Sequence, residues 1–377
     1  MGGIEKVTEY LANWLSKRYP VTIFSLISQH KDALLSNVDK GVNFYCADYD
    51  GNRGGHAQLL LEKVIDDNNI NLVIYQDSYF QCQEMFFQAV RACRQKTVVY
   101  VVEHNTPDCF LQGHWLQATR PLLKYPAHLF IWKNVLLRHR WMYRNCDRYI
   151  LLSERFIPVL KRVSLLHDTS KVKCIPNPLT ITPVAGVGCV KKEMLCLFVA
   201  RLVQDKGVKR VMEIWHKVSK QHPDWRLEIV GDGEMRDWMK EYTAQNGLEN
   251  SVSFEGFQSQ MEPYYQRASI LLLASDFEGW GWTLVEAMSE GCVPIAFSSY
   301  RSIFDIIDDG VNGLLVNPFD IDCYASELHR LMSDTAFFTA LQQNAVTKSN
   351  CFKIDKIGQQ WQSLIESDST KRKEEQT

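Results

Sequence analysis

Two glutamates with seven residues between them, Glu278 and Glu286, bracket the stretch Gly279-Trp280-Gly281-Trp282-Thr283-Leu284-Val285, and carboxylates spaced around glycines in this way suit a ligand-holding loop. The apolar run Ile270 to Ala274 before it reads as a buried parallel strand. A short helix closed by Gly291 and a second apolar run, Val293 to Phe297, follow. Gly279 and Gly281 let the backbone approach a ligand closely, and the unpaired N–H groups at the helix start favour an anion. Glu278 would approach such an anion from the strand end and Glu286 from the first helical turn. Thr283-Leu284-Val285-Glu286 also matches a capping box, which leaves a purely structural reading of Glu286 open. Arg201 and Lys206 stand five positions apart on a loop between the strand Leu195 to Ala200 and a helix starting near Gly207. Two cations so placed converge on one polyanion, or they are an ordinary surface pair.

In the setting Glu278-Gly279-Trp280-Gly281-Trp282-Thr283-Leu284-Val285-Glu286-Ala287-Met288, with Gly291 and Pro294 after it, this pattern resembles the signature of family 4 retaining glycosyltransferases of the GT-B fold. The bare glutamate spacing is weakly specific; the embedded Gly-Trp-Gly and Glu-Ala-Met make it strong. The resemblance implies an α/β fold of GT-B type, two Rossmann-like domains facing a cleft. It further implies that Glu278 contacts the transferred sugar and Glu286 the ribose hydroxyls. Loop amides from Gly279 to Leu284 would hold sugar and diphosphate. Trp280 and Trp282 stand where the family more often has Phe and an aliphatic residue, so the sugar pocket has its own shape.

By the same resemblance, Arg201 and Lys206 clamp the donor diphosphate, and no metal or other cofactor is expected. Gly231 and the segment from Phe254 to Gln258, Phe257 included, would line the nucleobase slot. His104 ends its strand where the family often carries a histidine that meets the donor sugar or the acceptor side, with Glu103 and Asp108 as nearby acceptor-binding candidates. A histidine hydrogen-bonded within its own loop is the plain alternative. Gly3, in the pair Gly2-Gly3, corresponds to a loop after the first, central strand of the N-terminal domain. No residues precede Met1 to form that strand. The expectation is a misplaced start codon or truncated gene, or a sheet that lacks its first strand or recruits another.

The chain of 377 residues is long enough for two domains, and 46% hydrophobic with 23% charged residues is ordinary for a globular protein. A net charge of −2 argues against a general nucleic-acid binder. Eleven cysteines without Cys-x-x-Cys pairs or zinc spacings, and no signal peptide, point to a reducing cytoplasm. No apolar run is long enough to cross a membrane.

Strands at Val21 to Leu26, Val42 to Cys46, Leu72 to Tyr75, Thr97 to Glu103 and Arg148 to Ser153 alternate with helical patterns, which implies βαβ units in a mostly parallel sheet. Ligands then bind beyond the strand C-termini, at Gln76-Asp77-Ser78 and Glu103-His104-Asn105-Thr106. From Phe110 to Leu165 ten Lys and Arg face two acids, a net +8, interleaved with aromatics. That stretch suits peripheral contact with an anionic membrane, or is a solvated basic face. Asp48-Tyr49-Asp50 and Asp320-Ile321-Asp322 read as a turn and a helix N-cap rather than metal sites. The domain boundaries expected are 1–178 for the acceptor-side domain and 179–349 for the nucleotide-sugar domain. A helix at 350–367 would cross back to the first, with a disordered tail at 368–377.

The function expected is retaining transfer of a hexosyl group from a nucleotide-diphosphate sugar to a saccharide or lipid-linked acceptor, in polysaccharide synthesis. The alternatives are a catalytically weak GT-B sugar- or nucleotide-binding protein, and another GT-B enzyme such as a sugar-nucleotide epimerase.

Overall fold

A computed structural model describes residues 3–26, 37–47, 54–76, 82–94, 97–112, 124–182 and 192–375. The chain divides into two compact units, Met1–Pro178 with Ile354–Thr377, and Leu179–Lys353.

The first unit opens with helix α1 (Gly3–Ser16), whose Val7, Leu11, Trp14 and Leu15 form the buried stripe that the 3.6-residue spacing predicts. Parallel strands β1 (Val21–Ser25) and β2 (Val42–Cys46) pair in register Val21 to Val42 through Ser25 to Cys46. Helix α2 (Gly54–Asp67), strand β3 (Leu72–Tyr75), helix α3 (Gln83–Ala92) and strand β4 (Val98–Glu103) follow. Beyond them come the short helix α4 (Cys109–Gln112), helix α5 (Lys124–Asn145), β5 (Arg148–Leu151), α6 (Ile157–Ser164) and β6 (Val172–Cys174). Every residue of β4 is buried, as a central parallel strand covered on both faces requires.

The strands of this unit form two separate parallel sheets, β1-β2 and β3-β4-β5-β6, with no ladder joining them among the described residues.

The second unit carries one six-stranded parallel sheet in the order β12-β11-β10-β7-β8-β9. In chain order its elements are β7 (Leu195–Val199), α7 (Val208–Ser219), β8 (Arg226–Val230), α8 (Arg236–Gln245), β9 (Val252–Gly256), α9 (Glu262–Arg267) and β10 (Ile270–Leu273). These are followed by α10 (Trp282–Ser289), β11 (Val293–Phe297), α11 (Ile303–Ile306), β12 (Leu314–Val316), α12 (Ile321–Ser333) and α13 (Thr335–Ser349). Phe198, Trp215, Ile229, Leu272, Phe297 and Tyr324 fill one continuous core. Winding runs outward from β7 through β8 to β9, then restarts beside β7 at β10. The loops after β7 and β10 therefore flank the point where strand order reverses, the usual place for a ligand in an open parallel sheet.

The last helix, α14 (Ile354–Glu375), belongs to the first unit. Trp14 Nε1 donates to Asp355 Oδ1 at 2.9 Å. A Cβ at Gly358 would stand 2.3 Å from the Trp14 ring, so only glycine admits that packing. The helix runs through the stretch expected to be a disordered tail, because Asp368 is buried and accepts from Tyr100 Oη at 2.7 Å and from Arg148 Nε at 2.8 Å. Asp320 caps α12 by accepting from the Cys323 N–H, as the structural reading of that Asp-x-Asp requires. Asp48-Tyr49-Asp50 lies outside the described residues.

Candidate active site

The loops after β7 and β10 are built against each other. The Asp276 N–H donates to Asp205 O at 2.8 Å, and Arg210 on α7 donates through Nε and Nη2 to Ala274 O at 3.1 and 2.9 Å while pairing with Asp276. Gly207, at φ +72°, makes the approach possible, since a Cβ there would lie 1.9 Å from Ala274 O. Docked in this way, Lys206 Nζ reaches Glu278 Oε1 at 2.8 Å, and Ser275 Oγ donates to the same oxygen at 2.8 Å. Two residues named from sequence as diphosphate and sugar ligands thus meet directly. Arg201 is exposed on the loop that carries Lys206.

Gly281 is the N-cap of α10, at φ +94°, and no side chain caps the helix. The Leu284 N–H turns back to Gly281 O at 3.1 Å, which leaves the N–H groups of Trp282 and Thr283 at the open helix end. This register displaces Glu286 from the first turn and excludes the capping box: Thr283 lies inside the helix, and the Glu286 carboxylate is held elsewhere. Its Oε1 accepts from Thr180 Oγ1 at 2.5 Å and its Oε2 from Tyr265 Oη at 2.9 Å. Trp280 is buried edge-on against Phe352, with ring centroids 5.6 Å apart, while Trp282 is half-buried. Ser302 Oγ donates to Gly279 O at 3.0 Å and fixes the loop from the β11 side.

Gly231 lies at the end of β8, where a Cβ would stand 1.8 Å from Ala200 O, and its N–H donates to Gly256 O at 2.8 Å. The ends of β7, β8 and β9 are thereby drawn together, with Phe257 just beyond and 67% exposed.

In the first unit, His104 follows β4 and is fully buried, its Nε2 3.1 Å from Gln76 Oε1. Burial pulls its pKa down to about 4, so at neutral pH the ring is uncharged. With Nε2 donating to the Gln76 carbonyl oxygen, Nδ1 is an acceptor without a hydrogen-bond partner among the described residues. Glu103 Oε2 pairs with Arg138 Nη2 at 3.1 Å and accepts from Tyr149 Oη at 3.1 Å. Asp108 accepts from Thr106 Oγ1 at 2.6 Å and from Arg162 Nη2 at 2.8 Å. Gly3 is the first residue of α1; Asp77 and Ser78 lie outside the described residues.

Sequence reasoning missed Arg210 and Asp276, which hold the two loops together, and Thr180 and Tyr265, which hold Glu286. The first pair is 66 residues apart and the other two contacts span 106 and 21, so no local pattern marks them.

The model described as Glycosyltransferase Family 4 matches residues 1–182, and that described as Glycosyl transferases group 1 matches 186–348. Together they take in both units, and the chain belongs to the family 4 glycosyltransferases. An uncharacterized glycosyltransferase of Haemophilus influenzae is 26% identical over 221 residues, 59% of this chain and 62% of that protein. The exopolysaccharide phosphotransferase SCO2592 of Streptomyces coelicolor is 33% identical over 58% of this chain and 23% of its own length. The lipopolysaccharide 1,6-galactosyltransferase of Salmonella typhimurium is 29% identical over 62% of this chain and 67% of that one. The chain thus spans less than two thirds of the first two relatives.

Among solved structures, Anabaena Alr3699/HepE in complex with UDP and glucose superposes with a TM-score of 0.75 at 18% identity, covering 97% of this chain and 96% of that one. The apo form of the lipopolysaccharide outer core galactosyltransferase WaaB gives 0.71 at 19%, covering 98% and 96%. At such identity the likeness is one of fold, the GT-B fold of two Rossmann-like domains.

Proposed function

We propose that the protein is a retaining, metal-independent hexosyltransferase that takes a sugar from a nucleotide-diphosphate donor and passes it to a saccharide or lipid-linked acceptor in surface polysaccharide synthesis. The observation that carries this reading is the meeting of Lys206 and Glu278 at 2.8 Å where strand order reverses, with the uncapped start of α10 on the same loop. Lys206, Arg201 and the amides near Thr283 supply positive charge to the departing diphosphate, the electrostatic support that phosphoryl leaving groups need. Glu278 orients the sugar. Glu286, its carboxylate held in place by Thr180 and Tyr265, receives the ribose hydroxyls. His104, uncharged and with Nδ1 unpartnered among the described residues, accepts a hydrogen bond from a substrate hydroxyl. The departing phosphate takes the acceptor proton in a same-face substitution, so no side chain is an obligatory base.

The names of similar proteins support the substrate class: one structure holds UDP and glucose, and a Campylobacter jejuni relative, 29% identical, is named as an N-acetylgalactosaminyltransferase with a diphosphoundecaprenol-linked substrate. No helix among the described residues is long and apolar enough to cross a membrane. Peripheral contact is supported by Leu129, Phe130 and Leu137, exposed on α5 alongside exposed Lys133 and Arg144. The test is incubation of the purified protein with UDP-, GDP- and ADP-sugars and saccharide acceptors, with and without EDTA. A new glycoside that keeps the donor's anomeric configuration, formed equally with chelator, is expected. An inverted product, or loss of activity with EDTA, would overturn the mechanism.

A further inference from the structure

Among the buried side-chain donors of the second unit that have no acceptor among the described residues, three belong together: the Tyr300 hydroxyl and the indole N–H groups of Trp280 and Trp282. Tyr300 is 6% exposed and Trp280 2%. Leaving a donor buried and unpaired is costly, so such groups are few in folded proteins and each asks for an explanation. Here all three gather around one loop, 278–282.

Tyr300 is placed most sharply. It lies on the segment after β11, and its Oη stands 2.7 Å from where a Cβ on Gly281 would be. Gly281 is the residue that starts α10 without a capping side chain, so the hydroxyl sits beside the open helix end. The segment is tied down on either side of Tyr300: Ser299 Oγ donates to Ser275 O at 2.7 Å and Ser302 Oγ to Gly279 O at 3.0 Å. Burial first, and the Glu278 charge second, raise the phenol pKa well above its ordinary value, so the group remains an O–H donor. Lys206 and Ser275 both donate to Glu278 Oε1.

We infer that Tyr300 is a donor-binding residue whose hydroxyl donates a hydrogen bond to the distal phosphate of a nucleoside diphosphate seated at the start of α10. A phosphate oxygen fits better than a sugar hydroxyl, because the Tyr300 hydroxyl and the N–H groups of Trp282 and Thr283 at the open helix end are all donors and a phosphate oxygen only accepts. Being uncharged, the phenol supports the leaving group without adding a third cation to Arg201 and Lys206. This inference rests on the donor-site reading given above.

The test uses the full chain and its Tyr300→Phe variant, titrated calorimetrically with UDP, GDP and ADP and with the matching monophosphates. For the diphosphate that the wild type binds, Kd should rise about 10- to 100-fold in the variant, the range for a hydrogen bond to a charged group. Affinity for the monophosphate, which lacks the distal phosphate, should be unchanged, and the unliganded Tm should hold or rise because an orphaned hydroxyl has gone. Equal diphosphate affinity in both proteins, an equal loss for the monophosphate, or a fall in unliganded Tm would each overturn the role of Tyr300. A wild type that binds none of the three diphosphates would overturn the donor-site reading itself, and this inference with it.

Discussion

Lys206 Nζ and Glu278 Oε1, from residues 72 apart in sequence, lie 2.8 Å apart at the junction of the β7 and β10 loops. Each side chain is mostly but not wholly buried, at 17% and 20% exposure, so the pair is accessible to a ligand. On the donor-site reading proposed above, a carboxylate and an arriving diphosphate would compete for one ammonium, so that Glu278 would temper the cation the leaving group needs and release it when the donor binds.

That competition has a directional consequence. Lys206→Ala should lower kcat/KM by about tenfold to a hundredfold, the effect of losing one charge-assisted hydrogen bond of roughly 1.5–3 kcal/mol. Glu278→Gln should cut turnover strongly while nucleoside diphosphate affinity stays equal or tightens a few-fold, because the competing charge is gone. Weaker nucleotide binding by Glu278→Gln, measured by calorimetry, would remove the competition argument.

Gly207→Ala tests the docking of the two loops. The position combines φ +72° with a Cβ site 1.9 Å from Ala274 O. Gly247, at φ +67° with nothing within 4 Å, isolates the backbone term alone. Gly247→Ala should cost about 1–2 kcal/mol, and Gly207→Ala at least about 2 kcal/mol more, since a backbone carbonyl must move. Equal urea midpoints for the two variants would show that the loops are not held together at Gly207.

Much of this was legible in the sequence. The apolar runs at 227–230, 270–273 and 293–297 have no polar interruption except Glu228, and strands buried on both faces require that pattern. What sequence could not supply was charge compensation at long range. The +8 counted between 110 and 165 includes Arg138, Arg148 and Arg162, whose partners Glu103, Asp368 and Asp108 all lie outside that window. Glu286 was misplaced by a smaller error. With Gly281 as N-cap, a shift of two residues moves it from the capping turn to the second, where Thr180 and Tyr265 take its carboxylate.

His104 makes stability pH-dependent in a defined window. Its folded pKa of about 4 lies below the ordinary 6.5, so as pH falls the unfolded chain protonates first. The stabilisation of the neutral form is complete above pH 6.5 and lost progressively from there toward pH 4. Between pH 7 and 5 the loss is about 2 kcal/mol. Burial also lowers the pKa of His139 and His222, but their contributions are common to both proteins in a comparison. In His104→Gln the stability difference between pH 7 and 5, from urea unfolding, should shrink by that amount. An unchanged difference would mean that His104 is not buried in its neutral form.

Asp368 decides whether the end of the chain is structure or tail. Burial works to raise its pKa, but hydrogen bonds from Arg148 and Tyr100 outweigh it and hold the carboxyl below its ordinary value. The contribution of the charged form is therefore present above about pH 4 and lost below it. Removing the carboxylate leaves Arg148, 20% exposed, without its partner and the Tyr100 hydroxyl without its acceptor. Asp368→Ala should cost about 2–3 kcal/mol, whereas Asp368→Asn, which keeps an acceptor, should cost less. Truncation after Glu366 should match the alanine variant, and truncation after Arg372 should be close to neutral, because the turns beyond Asp368 bury little. Hydrogen exchange gives the second readout: amides of the last two turns before Asp368 should lose protection in Asp368→Ala while those near Asp355, anchored by Trp14, keep theirs. A truncation after Glu366 with wild-type Tm would return residues 368–377 to a disordered tail.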